Sequence, residues 1–450
     1  MTPISVAVVG SGPAGMYLVE ALQRLVPAPS AIDVIDRLPT PFGLVRSGVA
    51  PDHASVKLVA QRFEQAFSKP GVRYLGGVEI DRNLPLDRLR SFYDAVVLAC
   101  GCPVDRPLGI PGDHLPGVWG SARFTGWYNV HPDHAGLEIG ELPETVLVIG
   151  NGNVAIDVAR LLTKPVDALA ATDISPVMLE LLRRSRVRKV VLTGRRGPAD
   201  ARFSIKELEE LGEAADVSIL LPPGAGLPDA EVLAALPAPR ASMLGALNRY
   251  VSSPRNGRDH EVNLQFLARP VQVSGCERVQ EVRFERMRAE GERVEGTNTF
   301  FSVPCGAVIA CIGYQVRPMG VLKLDASRGA FLNEDGRIAD GLYCIGWARR
   351  GPSGTIATNR SDAAQVAQRI GREVVAGNHH GPAGLDAWLS ARGVRPSGFE
   401  DWRIIDRAEC DRATGGASRR KFHSTEEMLD ILGVARSAAA DAWNRRTASP

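Results

Sequence analysis

The sequence predicts an α/β protein with two parallel-sheet units, and three observations carry that expectation. VAVVGSGPAG, with Gly10, Gly12 and Gly15, and VLVIGNGNVA, with Gly150, Gly152 and Ala155, each follow a short apolar run and open onto a helical pattern. Two further apolar runs, YDAVVLACG and CGAVIACIGY, parallel one another and read as the buried strands that close each unit. The 450 residues are enough for two or three separate cores. The fold class expected is therefore two Rossmann-like dinucleotide-binding domains.

Residues 4–102 hold the first βαβ unit, and Pro103 to Gly120 is rich in Pro and Gly and reads as a linker. The second unit begins near Val146. Its crossover carries LLTKPVDALAATDISPVMLELLRRSR, which reads as a helical insertion. Pro318 to Ala330 reads as a return linker. From Leu342, GLYCIGWARRGPSGTIATN is a strand, a glycine-rich loop and a helix starting near Thr355. The first domain is thus expected to be discontinuous, residues 1–103 with 320–450, around a second domain of 104–319.

The same physics applies at both glycine loops. The first glycine permits a tight turn and the second lets backbone approach a pyrophosphate. The third position, Gly15 or Ala155, allows close packing of helix on strand. A diphosphate then meets unpaired N–H groups at the positive end of a helix. The next strand separates the two sites. AIDVIDRLP ends at Asp36, whose carboxylate accepts from ribose hydroxyls and suits an adenosine without a 2′-phosphate, as in FAD or NAD. KVVLTGRRG ends in Arg195 and Arg196, guanidiniums that can grip a 2′-phosphate in bidentate fashion. That site reads as NADP(H).

Composition excludes other classes. Charged residues make up 23% and apolar residues 44%, the balance of a globular protein. A net charge of +2 gives no global signal for nucleic acid, so an acidic partner must meet a local patch. No apolar run is long enough to cross a bilayer. The first strand begins by Ile4, which leaves no room for a leader in this sequence, and seven scattered cysteines do not form a disulfide framework. The expected location is a reducing cytoplasm. No CxxC pair, no iron–sulfur ligand spacing and no nucleophile elbow appears; Cys100 and Cys102 read as packing residues.

Three smaller motifs lie where the loops of such a fold face a ligand. TPFGLVRSGVAPDH leaves the carboxyl end of a nucleotide-binding strand, which argues against a plain surface loop. Its His53 is an imidazole that can relay a proton or serve structure alone. RRGPADARFSIKELEELG offers Ser204 as an N-cap for a helix with Glu207 and Glu210 on one face, while Glu209 reads as solvated. In WARRGPSGTI, Gly351 and Gly354 permit close backbone approach, and Trp347 reads as packing against a ring edge or as core.

GSGPAG, PFGLVRSGVAPDH, GVWGSARFTGWYNVHP, GNGNVAIDVARLL, GRRGP, CIGY, GLYCIGWARRGPSG, GFEDWRIID and EEMLDILG together resemble the adrenodoxin reductase family of NADPH:ferredoxin reductases, nearly end to end. The resemblance implies a glutathione-reductase-like three-layer architecture and a ferredoxin–NADP reductase activity, in which hydride passes from NADPH to FAD and single electrons leave to a ferredoxin-type iron–sulfur protein. It implies FAD contacts at Ala14, Asp36, Leu44, Val78, Trp347 and Gly354, Thr355 and Ile356. It implies NADP contacts at Asn151, Gly152, Asn153, Val154, Arg195, Arg196, Glu207 and Gly354, with His53 and Glu210 supporting hydride and proton movement. Asp36 stands where the family often has Glu. The stretch from Leu221 to Arg258 matches poorly.

Ferredoxins are generally acidic, so a basic docking surface is expected. Arg183, Arg184, Arg186, Arg188 and Lys189 form the densest positive run, with Arg240 and Arg249 as the other candidate. An NADPH–flavin monooxygenase, a quinone or dye reductase, and a nucleotide sensor without turnover remain alternatives on the same scaffold.

Overall fold

A computed structural model describes residues 3–25, 31–214, 217–222, 227, 236–252, 259–290 and 293–433. They form two compact units. One draws on Met1–Val104, Asn129–Ala135 and Tyr314–Pro450, the other on Asp105–Tyr128 and Gly136–Gly313.

The first unit is organised by a six-stranded sheet in the order Arg337–Ala339, Leu342–Cys344, Ala95–Leu98, Ser5–Val9, Ala31–Asp36, Val72–Gly76. Every neighbouring pair is parallel except the first, an antiparallel edge. The apolar runs are continuous, not alternating, because helices cover both faces of the sheet. One face buries Val6, Val8 and Val97 with Met16, Leu18 and Leu22 of the Pro13–Leu25 helix and Val366 and Ile370 of the Thr358–Glu373 helix. The other buries Ala7, Val96 and Leu98 against Leu89, Leu385 and Leu389.

The second unit has its own six-stranded sheet, all parallel, in the order Val118–Gly120, Ala307–Ala310, Thr145–Ile149, Lys189–Thr193, His260–Gln265, Val217–Leu220. An antiparallel sheet of Ala268–Ser274, Glu281–Glu290 and Arg293–Pro304 buries Val273, Val282 and Phe284 against Leu147 and Val191. The crossover after the glycine loop holds two short helices, Val166–Ala170 and Pro176–Arg183, the latter capped by the Ser175 hydroxyl accepting from Met178 N–H at 3.4 Å.

Three local expectations are corrected. The Pro103–Gly120 stretch is not a bare linker: Val118–Gly120 is the edge strand of the second sheet, with Val118 paired to Val308. Its prolines punctuate the turns and leave the apolar Val118–Trp119 step free to pair. The stretch read as a return linker contains Leu324–Asp325, which pairs with Ala330–Phe331. The helix after the glycine-rich loop starts at Thr358, because Thr355 N–H donates to the Thr358 hydroxyl at 3.0 Å, closing a turn before the helix.

Asn129–Ala135 packs with the first unit although both flanking segments belong to the second. Its anchors are Arg37, bidentate to Asp133 at 2.6 and 2.9 Å, and His131, whose Nε2 lies 3.4 Å from Arg37 Nη2. Burial, reinforced by the Arg37 and His134 charges and only partly offset by Asp133, pulls the His131 imidazole from its ordinary 6.5 down to about 4. The fold therefore favours neutral His131. This stabilisation is complete above about pH 6.5 and is lost as the pH falls toward 4. Thermal stability is expected to fall as the pH drops across that window in the native chain and to fall less steeply in His131→Gln; parallel pH profiles for the two would contradict the assignment.

Candidate active site

In the first unit the glycine loop is shaped by backbone contacts that exclude side chains. Gly10 sits at φ +112°, and a Cβ there would lie 2.5 Å from the Ala99 carbonyl oxygen. A Cβ on Gly15 would lie 2.1 Å from the Gly10 oxygen. Gly12 differs, since a Cβ there meets nothing within 4 Å. That open space stands at the start of the Pro13–Leu25 helix, where unpaired N–H groups and the helix dipole favour an anion. Ala14 is met from the other side by Gly346, whose φ of +67° and absent Cβ permit the approach.

Asp36 lies at the expected strand tip, but it is already engaged. Its Oδ2 accepts from Ser11 N–H at 2.9 Å and from the Ser11 hydroxyl at 2.5 Å, and its Oδ1 accepts from Leu38 N–H at 3.1 Å. A carboxylate has about four acceptor positions, so one remains for a ribose hydroxyl. The cross-tie from Ser11 to Asp36 escapes sequence reasoning because serine in GSGPAG reads only as a small residue. Val78 is buried, with its N–H donated to the Asp36 carbonyl at 2.9 Å. Leu44 is 46% exposed at the start of the Leu44–Ser47 turn. His53 is half-buried and caps the Ala54–Lys57 turn through its carbonyl, which accepts from Val56 N–H at 3.0 Å.

Trp347 is half-buried, stacked on Tyr314 with centroids 5.8 Å apart, and its indole N–H donates to the Ser353 carbonyl at 3.1 Å. That bond ties the tryptophan to the loop that exposes Gly354 and Thr355; Ile356 leans on the upper core. Sequence reasoning missed Asp362. This buried carboxylate accepts from Gly346 N–H at 2.7 Å and from Arg350 at 2.7 Å, and it also pairs with Arg349. The acid one helical turn into TNRSDAA was the available signal.

In the second unit Gly150 has φ +135°, and a Cβ there would lie 2.1 Å from the Cys311 carbonyl oxygen. Ala155 is fully buried, as close packing of helix on strand requires. Gly152 again faces open space, with nothing within 4 Å of a Cβ, ahead of the Asn153–Thr163 helix. The loop is fastened to the next helix in steps. The Asn151 carbonyl accepts from Arg202 and Phe203 N–H at 2.9 Å, Asn153 Oδ1 accepts from Ser204 N–H at 2.8 Å, and the Ser204 hydroxyl accepts from Glu207 N–H at 3.2 Å. Val154 is half-buried beside them. Glu207 lies 3.9 Å from the buried Arg160, and Glu210 lies 3.5 Å from Lys206.

Arg195 and Arg196 follow the Lys189–Thr193 strand, are both exposed, and form no ion pair among the described residues. Two adjacent uncompensated guanidiniums repel one another and gain from a dianion. The docking candidates differ in this respect. Arg183 and Arg184 pair with Glu180, Arg186 with Glu141, Arg240 with Asp200 and Arg249 with Glu209. Glu209 is therefore an ion-pair partner as well as an exposed acid. All seven cysteines are free thiols, and burial pushes Cys100 up to about 12.

The sequence profile of the pyridine nucleotide-disulphide oxidoreductases matches residues 4–178. The chain is 38% identical over 453 residues to the human mitochondrial NADPH:adrenodoxin oxidoreductase, covering 95% of this chain and 92% of that one. The chain belongs to the adrenodoxin reductase family. A probable ferredoxin/ferredoxin–NADP reductase of Mycobacterium tuberculosis is 36% identical over 461 residues, 99% of this chain and 78% of that protein. The Mycobacterium tuberculosis FprA structure in complex with NADPH superposes with a TM-score of 0.88 at 34% identity, covering 96% of this chain and 99% of that one. As a member of the adrenodoxin reductase family the chain is a Rossmann-type oxidoreductase. No helix among the described residues is long and apolar enough to cross a membrane.

Proposed function

We propose that the protein takes electrons from NADPH and delivers them through FAD to a ferredoxin-type iron–sulfur protein, as a ferredoxin–NADP reductase. The observation that carries this reading is the pairing of two open glycine cradles with opposite strand-tip chemistry. Asp36 stands at one, and the uncompensated Arg195 and Arg196 at the other. Membership of the adrenodoxin reductase family supports it.

The residues fit both nucleotides. The space beside Gly12 is what a pyrophosphate needs, with Gly10, Ala14, Gly15, Asp36, Leu44, Val78, Trp347, Gly354, Thr355 and Ile356 proposed to hold FAD. The equivalent space beside Gly152, with Asn151, Asn153, Val154, Arg195, Arg196 and Glu207, is proposed to hold NADP(H). FAD, when bound, supplies the conversion of an electron pair into single electrons. The chain supplies orientation and electrostatics. Asp36 fixes the glycine loop and keeps one acceptor position for a sugar hydroxyl. Arg195 and Arg196 select the phosphorylated nicotinamide nucleotide. His53 at its imidazole nitrogens and Glu210 at its carboxylate are the proposed proton-handling groups.

The proposed partner is acidic. An acidic surface can compete for Arg183, Arg184 and Arg186, whose own carboxylate partners are exposed and held weakly. Seven free thiols fit a reducing compartment such as the cytoplasm.

The purified chain is expected to be yellow, to bleach on NADPH, and to reduce cytochrome c faster when a small iron–sulfur ferredoxin is added. A colourless protein that refuses added FAD would sink the proposal, as would cytochrome c reduction indifferent to ferredoxin.

A further inference from the structure

A buried charged network in the first unit takes no part in the chemistry described above. Glu409, 0% exposed, comes from the Phe399–Asp411 helix and accepts from Arg46 Nη2 at 2.6 Å and from Phe422 N–H at 3.1 Å, with Arg419 at 3.5 Å from its other oxygen. Arg46, itself buried, lies with its guanidinium 4.9 Å from the Trp402 ring centre. Lys421, 2% exposed, donates to the Arg46 carbonyl at 3.0 Å and to the Asn129 carbonyl at 3.1 Å. Burial by itself would raise the Glu409 carboxyl; Arg46, its hydrogen bonds and Arg419 outweigh that and hold it below the ordinary value, so it is charged.

Ion pairs this deep are costly to assemble and stabilise a fold weakly compared with apolar packing of the same volume. A second feature shows what this one constrains. Arg46 belongs to the Leu44–Ser47 turn, and the residue just before that turn's glycine, Phe42, is held at φ +79°. For a bulky side chain this is a strained conformation, which persists only where surroundings over-determine it. Phe42 is wedged edge-on against the same Trp402 at 6.1 Å, and its N–H donates to the Ser11 carbonyl at 3.2 Å. Gly43 follows so closely on the glycine loop that a Cβ there would sit 3.1 Å from the Gly12 Cα. One helix near the end of the chain thus supplies both groups, Trp402 and Glu409, that press this turn onto the loop beside the open space at Gly12.

We propose that Glu409 is a positioning residue that acts through Arg46, setting the Leu44–Ser47 turn against the Gly10–Gly15 loop and thereby setting how tightly the flavin nucleotide is held. This rests on the reading of the first unit as the FAD site. The turn carries exposed Leu44 on its outer side and the buried Arg46 on its inner side. Releasing the inner side lets the strained Phe42 relax and carries Gly43 away from Gly12.

The test uses the full chain after removal of its flavin, titrated with FAD by fluorescence, with the visible circular dichroism of the bound flavin and the unfolding midpoint of the FAD-free protein measured alongside. Glu409→Gln is expected to raise the FAD dissociation constant at least tenfold and to change the dichroism band. Should that variant fail to fold because Arg46 is left uncompensated, the double variant Arg46→Met with Glu409→Leu decides, since it removes both charges at similar volume. It is expected to show the same weakening of FAD with an unchanged unfolding midpoint. A double variant that binds FAD as tightly as the native chain overturns the proposal. So does one whose FAD affinity falls only together with its FAD-free stability, or one that does not fold. A native chain that takes up no FAD overturns the reading of the first unit itself, and that result is visible before any variant is made.

Discussion

Replacing Arg195 and Arg196 together with leucine is expected to lower kcat/KM for NADPH by about two to four orders of magnitude while leaving NADH nearly unchanged. Each guanidinium is exposed and forms no ion pair among the described residues, so each is available to a 2′-phosphate. A charge-assisted hydrogen bond is worth about 1.5–3 kcal/mol, roughly one to two decades per residue. Lysine at both positions is expected to recover only part of the loss, because it keeps the charge and gives up the planar fork. NADH lacks the 2′-phosphate and is a built-in control. Equal losses for the two nucleotides would assign the arginines to the fold instead of to the phosphate.

The second large effect is expected at the middle glycine of each loop. Gly152→Val places a Cβ where the protein itself has nothing within 4 Å, so the unfolding midpoint should change little. The same side chain occupies the approach of a pyrophosphate, and NADPH binding should weaken by about a hundredfold or more. FAD content should remain native. Gly12→Val is expected to reverse the pattern, giving a folded chain depleted of FAD. The neighbouring Gly10 and Gly150 are unsuitable for this comparison. At both the backbone has positive φ and an added Cβ would strike a carbonyl oxygen, at 2.5 and 2.1 Å respectively, so substitution there injures the fold first. Equilibrium binding of each nucleotide, read beside the unfolding midpoint, separates the two cases. Normal NADPH binding by Gly152→Val would remove the second glycine loop from the cofactor site.

Much of this was legible in the sequence because it depends on local rules. The continuous apolar strands identify sheets covered on both faces, and the glycine spacing identifies turns that only glycine permits. Arg195 and Arg196 are placed by the strand that precedes them, and Ser204 caps the helix it was expected to cap, at 3.2 Å from Glu207 N–H. Other features were not legible because they join residues far apart in the chain. Asp36 reads as a ribose ligand, yet three of its acceptor positions go to Ser11 and Leu38. Asp362 reads as one more helical acid, yet it gathers Gly346, Arg349 and Arg350. The basic run at Arg183 to Lys189 reads as an open patch, yet Glu141 and Glu180 answer three of its arginines.

By itself the sequence determined the number of nucleotide units, their strand-and-loop chemistry and the preference expected of each, since those follow from periodicity, glycine geometry and the sign of charge at a strand tip. The tertiary structure alone decided which charges are spent inside the protein. It brought Glu409 and Trp402 onto Arg46 and Phe42, and it returned Asn129–Ala135 to the first unit. The reason is that desolvation and pairing depend on what surrounds a charge in space, and a chain pattern records only what precedes and follows it.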